Sequence, residues 1–212
     1  VQLGDDDDLV EVQSGYAENL ICAFGRIDGR AVGFVANNPM HLAGCIDADA
    51  ADKGARFIRT CDAYNIPIVY VVDTPGYLPG VEQEKVGLIH RGAKFAFAVV
   101  EATVPKVSLI VRKAYGGAYA VMGSKNLTGD INLAWPTAQI ALADATTAAE
   151  AIGTDEAAWA EENLNPYVAT ERGLVDAVIE PSTTRTRVLE GLRLLERKVA
   201  YPAQKKHGNI PL

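Results

Sequence analysis

The spacing of apolar and polar residues changes period along the chain, and each change predicts an element. Residues 21–27 and 31–37 are β-favouring runs joined by Asp28-Gly29, a pair suited to a type I′ turn because both central positions need positive φ. The pattern breaks at Asn37-Asn38-Pro39-Met40 into a loop carrying His41 and Gly44. From 47 to 64, Ala51, Ala55, Ile58 and Cys61 recur at helical spacing, with Asp47 and Asp49 where the helix dipole favours negative charge. This predicts a surface helix with one buried side. Residues 66–72 form a nearly continuous apolar run, as expected of a strand covered on both faces. A long helix is predicted from about Glu84 to Thr103, with Ile89, Ala93, Ala96, Phe97 and Val100 on one face and Pro105 closing it.

The next run, 107–111, predicts a strand that ends in Gly116-Gly117 and passes into a helix. Strand, helix and strand make a βαβ unit with parallel strands, so the loops at 73–80 and 114–118 open toward one edge of the sheet. Open α/β sheets place ligands at that edge. The first turn of a helix leaves N–H groups unpaired, and a glycine pair has no Cβ to keep a ligand away. The amides of Gly117 and Ala118 are therefore candidate donors to an oxygen that gains negative charge, against the plainer reading of a tight turn. Asp73 is either an acid or a loop cap.

Beyond Lys125 the pattern predicts short strands at 131–134 and 138–142, flanking Trp135-Pro136 with the indole over the core. Ala-rich helices follow at 145–152 and 155–163, the second stopped by Asn165-Pro166. A strand at 173–179 precedes a helix capped by Ser182 or Thr183 and running through Val188, Leu192, Leu195 and Val199. The tail, 205–212, is expected to lie against a neighbour. The run Asp5 to Asp8 reads as a solvated boundary.

Composition narrows the function. With 49% apolar and 22% charged residues the chain is of ordinary globular type, and a net charge of −7 argues against general nucleic-acid or membrane-surface binding. No apolar run approaches the roughly 18 residues that span a bilayer. Cys22, Cys45 and Cys61 lie at wide spacing, Cys22 and Cys61 within apolar patterns, so buried thiols in a reducing, cytoplasmic compartment are expected. The three histidines are scattered and no metal site is expected.

Seven blocks then resemble one known family: DTPGYLPG at 73–80, HRGAK at 90–94, EATVPKV at 101–107, RKAYGGAYAVMGSK at 112–125, AWPTAQIA at 134–141, NPYVATERG at 165–173 and KKHGNIPL at 205–212. They resemble the carboxyltransferase (β) subunit of biotin-dependent acyl-CoA carboxylases of the propionyl-CoA and acetyl-CoA type. The resemblance implies an α/β, crotonase-like superhelix of ββα units. It implies that 1–212 matches the C-terminal of the subunit's two such domains, with the N-terminal domain outside the sequence.

Further expectations follow from the resemblance. Biotin is carried on a partner, and the carboxyl group passes from carboxybiotin to the α-carbon of a short-chain acyl-CoA. Gly117 and Ala118 hold the charge on the ureido oxygen; Gly116, Tyr119, Tyr77, Leu78 and Pro79 shape the biotin side; Ala120, Asn37 and Asn38 contact the acyl-CoA. The implied partners are acyl-CoA, the biotin carboxylase or biotin carrier subunit, the N-terminal carboxyltransferase domain and further copies of the chain. A decarboxylase or transcarboxylase using the same half-sites, or a non-catalytic domain that docks the biotin-bearing subunit, are the alternatives. The sequence departs from the family pattern at Ala120, where many members carry Asp, and at Asp144 and Thr147, where glycines are usual. The region 148–164 is also shorter than usual.

Overall fold

In the computed structural model, which describes residues 3–5, 9–201 and 208–211, the alternation of the first half folds into one end of a mixed sheet. An edge strand that the pattern did not predict, β1 (Val10–Glu11), pairs antiparallel with β2 (Leu20–Ile27). Strand β2 turns through Asp28 and Gly29, both at positive φ (56° and 75°), into β3 (Arg30–Asn37). Asp5 is no mere solvated end: its carboxylate accepts from the N–H groups of Asp28 and Gly29 at 3.1 and 2.8 Å, and pairs with Arg185. The rest of the acidic run, Asp6 to Asp8, lies outside the described residues.

Helix α1 (Ala48–Ala63) starts where Asp47 accepts from Ala50 N–H at 2.9 Å. It is more than a surface helix. Lys53, Gly54 and Phe57 are buried along with the predicted stripe, because α1 has the sheet on one side and α3 on another. Strand β4 (Ile68–Thr74) begins two residues later than expected and includes Asp73. The single long helix is instead α2 (Val81–Lys85) and α3 (Leu88–Glu101), divided at Gly87, whose φ of 78° is outside the helical region.

Strand β5 (Lys106–Tyr115) is twice its predicted length and runs directly into α4 (Gly116–Val121). Then come β6 (Ile131–Ala134), β7 (Gln139–Ala141), α5 (Ala145–Ile152) and α6 (Glu156–Asn163). Helix α6 ends just before Asn165-Pro166, as expected, and the dipeptide also starts a helix, α7 (Pro166–Glu171), because proline's missing N–H costs nothing in a first turn and Asn165 accepts from Val168 N–H. Strand β8 (Ala177–Val178) is only the end of the predicted 173–179 run. Helix α8 (Thr184–Leu194) follows a 3₁₀ turn at Pro181–Thr183. Thr183 stands at its N-cap position but its hydroxyl donates back to Glu180 O rather than capping the helix, and Leu195 and Val199 fall beyond its end.

The sheet order is β1-β2-β3-β4-β5-β6-β8, with β7 beside the far end of β5; every pairing from β3 onward is parallel. The two faces divide β4 by its period of two. Ile68, Tyr70 and Val72 join Phe57, Ile58, Phe95 and Val99 of α1 and α3, whereas Val69 meets Val188 and Leu192 of α8. Trp135 packs on this second face and donates from Nε1 to Thr184 Oγ1 at 2.9 Å.

The three cysteines are free; Cys22 and Cys61 are wholly buried, and burial pushes both thiols up to about 12. Among the described residues no group of histidine, cysteine or acidic side chains is arranged to hold a metal, and no helix is long and apolar enough to cross a membrane. Gly208 and Ile210 lie beside α3 and α1, a Cβ on Gly208 falling 3.2 Å from the Phe97 ring, so this part of the tail rests on its own chain. Residues 205–207 and 212 lie outside the described residues.

Candidate active site

Two glycine-bearing loops converge at the C-terminal ends of β4 and β5, as the parallel crossover predicts. The first is pinned to the loop before α1: Leu78 N–H donates to Ile46 O at 2.9 Å and Ile46 N–H to Gly76 O at 3.0 Å. This sets the Tyr77 ring against α3 and α4. A Cβ on Gly117 would stand 3.5 Å from it. The ring is largely withdrawn from water, and burial pushes its hydroxyl up to about 12.

Between the two loops and α3 runs a groove of about 580 Å³. Tyr77, Leu78 and Pro79 form one wall, Leu88, Gly92 and Ala96 another, and Gly117, Ala120 and Val121 its end. Glu84 is the one charged side chain among the described lining residues. Gly116, at φ 56°, makes the sharp turn from β5 into α4, and a Cβ there would meet Leu142 O at 3.0 Å. The first-turn N–H groups of α4 have no intrahelical acceptor, and Tyr115 provides no capping side chain, its hydroxyl donating instead to Gln139 Oε1. Gly117, in this uncapped first turn, is exposed and lines the apolar groove.

Several expected contacts are placed elsewhere. Of the two expected donors, Gly117 lines the groove and Ala118 does not, its methyl being fully buried in the core; the N–H groups of both belong to the first turn of α4, which supplies them no intrahelical acceptor. Tyr119 is 6% exposed and turned into the core, its hydroxyl without a partner among the described residues, so it does not line the biotin side as expected. Asn37 is buried. Its amide donates to Gly44 O at 3.3 Å and accepts from Asp73 N–H at 3.2 Å, which leaves it serving the backbone rather than a ligand. Asn38 likewise donates to Glu18 O at 2.9 Å and accepts from Met40 N–H at 3.2 Å. Neither asparagine lines the groove.

Asp73 is neither a loop cap nor an acid facing the groove. Its carboxylate accepts from Arg112 Nε at 3.1 Å on both oxygens, pairs with Arg112 Nη2 at 3.0 Å, and accepts from Lys113 N–H at 3.2 Å. His41 pairs with Glu18 at the surface, its Nδ1 2.9 Å from Oε2. The contribution of α3 was missed by sequence reasoning, although its small residues Gly92, Ala93 and Ala96 marked a face on which a ring can lie close to the backbone.

The carboxyl transferase domain family matches the chain over residues 2–210. The chain belongs to the carboxyl transferase family. Among its relatives, the biotin-dependent acetyl-/propionyl-coenzyme A carboxylase beta5 subunit of Mycobacterium tuberculosis is 55% identical over 226 aligned positions, covering 98% of this chain and 41% of that protein. The methylmalonyl-CoA decarboxylase subunit alpha of Propionigenium modestum is 50% identical, covering 98% of this chain and 43% of that protein. A crystal structure of the transcarboxylase 12S hexamer with methylmalonyl-coenzyme A and methylmalonic acid bound matches with a TM-score of 0.97 at 44% identity, over 99% of this chain and 43% of that one. This carboxyl transferase chain thus has the crotonase-like fold and spans less than half the length of these relatives.

Proposed function

We propose that this chain forms the carboxybiotin side of a carboxyltransferase site, which passes a carboxyl group from carboxybiotin to the α-carbon of a short-chain acyl-CoA. One observation carries the reading: Gly117, exposed and in the uncapped first turn of α4, lines an apolar groove at the convergence of the two loops. The groove suits biotin. A side chain at 117 would fill the approach beside Tyr77, and the apolar walls match a ring system with one polar edge.

Biotin, borne by a partner, supplies the carboxyl group and leaves negative charge on its ureido oxygen. Gly117 N–H donates to that oxygen, and the first-turn dipoles of α4 behind it add partial positive charge. Tyr77, Leu78 and Pro79 keep water away, which strengthens the hydrogen bond. Ala120 borders the acyl group. The acyl-CoA itself lies mainly on an N-terminal carboxyltransferase domain outside these 212 residues, contributed by a second copy in a homo-oligomer. The free, buried thiols fit a reducing cytoplasm.

The test is Gly117→Pro in the intact carboxyltransferase with its biotin-bearing partner. Gly117 has no positive φ and sits in the first turn, so proline removes the N–H while the helix start is kept. Carboxyl transfer is expected to fall by about 10²–10³; wild-type turnover in the folded variant would refute the reading. The 50% identity with a methylmalonyl-CoA decarboxylase subunit favours a second direction through the same site. Because one site catalyses the transfer both ways, the biotin-bearing partner sets the direction: a partner that discharges carboxybiotin, rather than one that charges biotin with carboxyl, would select it.

A further inference from the structure

Strand β5 changes partners along its length. Val107 to Ile110 pair with β6, whereas Lys113 to Tyr115 pair with β7. On its other side Val72 of β4 stands opposite Ile110, but Thr74 stands opposite Ala114. Strand β4 therefore advances two residues while β5 advances four. Val111, Arg112 and Lys113 form a bulge, and Asp73 is the one β4 residue that faces them.

A bulge bends its strand and leaves ladder groups without partners. Here side chains from both neighbours take them up. Asp73 Oδ1 accepts from Lys113 N–H at 3.2 Å, and the same carboxylate holds Arg112 through Nε and Nη2 at 3.0 to 3.1 Å. On the opposite flank Thr137 Oγ1 donates to Val111 O at 2.8 Å. Asp73 is itself fixed, since its N–H donates to Asn37 Oδ1 and its carbonyl lies so close to Gly44 that a Cβ there would fall 2.4 Å from it. Asp73 is thus tied to β3 behind it through its backbone N–H and to the bulge in front through its carboxylate. Four residues beyond the bulge stands Gly117, at the end of an uninterrupted strand-to-helix passage.

We infer that Asp73 is a positioning residue: by holding Lys113 N–H and Arg112 it sets the bulge that bends the end of β5 and aims Gly117 N–H into the groove. Asp73 touches no reacting atom, and its effect on turnover rests on the reading of the groove as a carboxyl-transfer site. Asp73→Ala leaves the Lys113 N–H without its acceptor. Asp73→Asn keeps an oxygen for it but turns an amide toward Arg112.

The experiment places Asp73→Ala, Asp73→Asn and Arg112→Ala in the intact carboxyltransferase with its biotin-bearing partner, beside Gly117→Pro, and measures kcat, KM for acyl-CoA and amide hydrogen exchange across 111–121. Asp73→Ala is expected to lower kcat by about 10²-fold, the scale of one lost donor, with KM unchanged and faster exchange in that segment. Asp73→Asn should recover part of both. Arg112→Ala, a change at a half-exposed side chain that guards against a misfolded Asp73 variant, should give a smaller change of the same kind. Unchanged kcat in all three variants, or lost kcat with unaltered exchange across 111–121, would overturn the inference. Faster exchange in Asp73→Ala beside a fully active Gly117→Pro would uphold the bulge geometry and refute the carboxyl-transfer reading instead.

Discussion

The Tyr77 ring occupies the space a side chain on Gly92 would take: a Cβ there would stand 3.2 Å from both Cε1 and the hydroxyl oxygen of Tyr77. The absence of a side chain on α3 thereby lets the ring reach Gly117 and close one wall of the groove. Gly92→Ala needs a shift of a few tenths of an ångström, and Gly92→Val displaces the ring. Carboxyl transfer by the intact enzyme should fall about tenfold for the first and about 10²-fold for the second, since small misplacements near a reacting centre act on that scale. Equal kcat/KM for wild type and Gly92→Val would show that the Tyr77 wall is dispensable.

Lys106 is 1% exposed, yet its three donors are all used: Nζ reaches Val99 O and Ala102 O at 2.9 Å and Thr128 Oγ1 at 2.6 Å. It ties the last carbonyls of α3 to the start of β5. Burial, helped by the charge of Lys198 and opposed by Asp130 and Asp62, pushes its amine down to about 8. The unfolded chain keeps that proton up to the ordinary lysine value, so between about 8 and 10.5 it binds more protons than the folded chain. Stability from this group should therefore rise with pH across that window. Lys106→Met should lose that rise and, near neutral pH, destabilise by about 1–3 kcal/mol by stripping the carbonyls of their donor. Urea unfolding of both proteins from pH 7 to 10 checks it; parallel pH curves would contradict the assignment.

The part of this molecule legible in sequence is the part with long periodic runs. Residues 66–72 and 107–111 announced parallel neighbours, and the glycines after them announced converging loops. The bulge at 111–113 was not legible, because it exists only in the register of β5 against β4 and no residue type marks it. Strand β7 has three residues, too few to show a period. The inward turn of Ala118 and Tyr119 follows from the helical period, which puts 117, 120 and 121 on one face of α4 and 118, 119 and 122 on the other. Lys53 and Lys106 were invisible as core residues because a long charged side chain ordinarily marks a surface. Asn165-Pro166 showed only half of its part in the pattern, since the dipeptide that follows the end of α6 also starts α7.

At the acid end the relevant group is Asp5, whose carboxyl is held down at about 2 by the Gly29 N–H, Arg185 and the Asp28 N–H. A depressed folded value means the stabilisation is complete above the ordinary carboxyl value of 3.8 and is lost as pH falls toward 2. Asp5→Asn should start to lose the hairpin end of the sheet at higher pH than wild type does. Amide exchange at 26–30 between pH 2 and 5 reads this directly. Identical profiles would mean that Arg185 and the turn hold without the carboxylate.

Ala120 gives the prediction closest to substrate choice. It is half-buried at the end of the groove, one residue before Val121, where many members of the resembled family carry Asp. A methyl group leaves room and apolar surface that a carboxylate would remove, so this chain should accept longer acyl groups than an Asp-bearing site does. One methylene in an apolar pocket discriminates by about tenfold or more. Ala120→Asp in the intact enzyme should therefore lower kcat/KM for butyryl-CoA about tenfold relative to propionyl-CoA, with acetyl-CoA least affected. The side chain at 120 faces the groove while the Gly117 donor belongs to the backbone, so the change should act on the ratio among acyl groups and leave transfer of the best one largely intact. An unchanged ratio across the three thioesters would place the acyl chain away from Ala120 and move the determinant of chain length out of this chain.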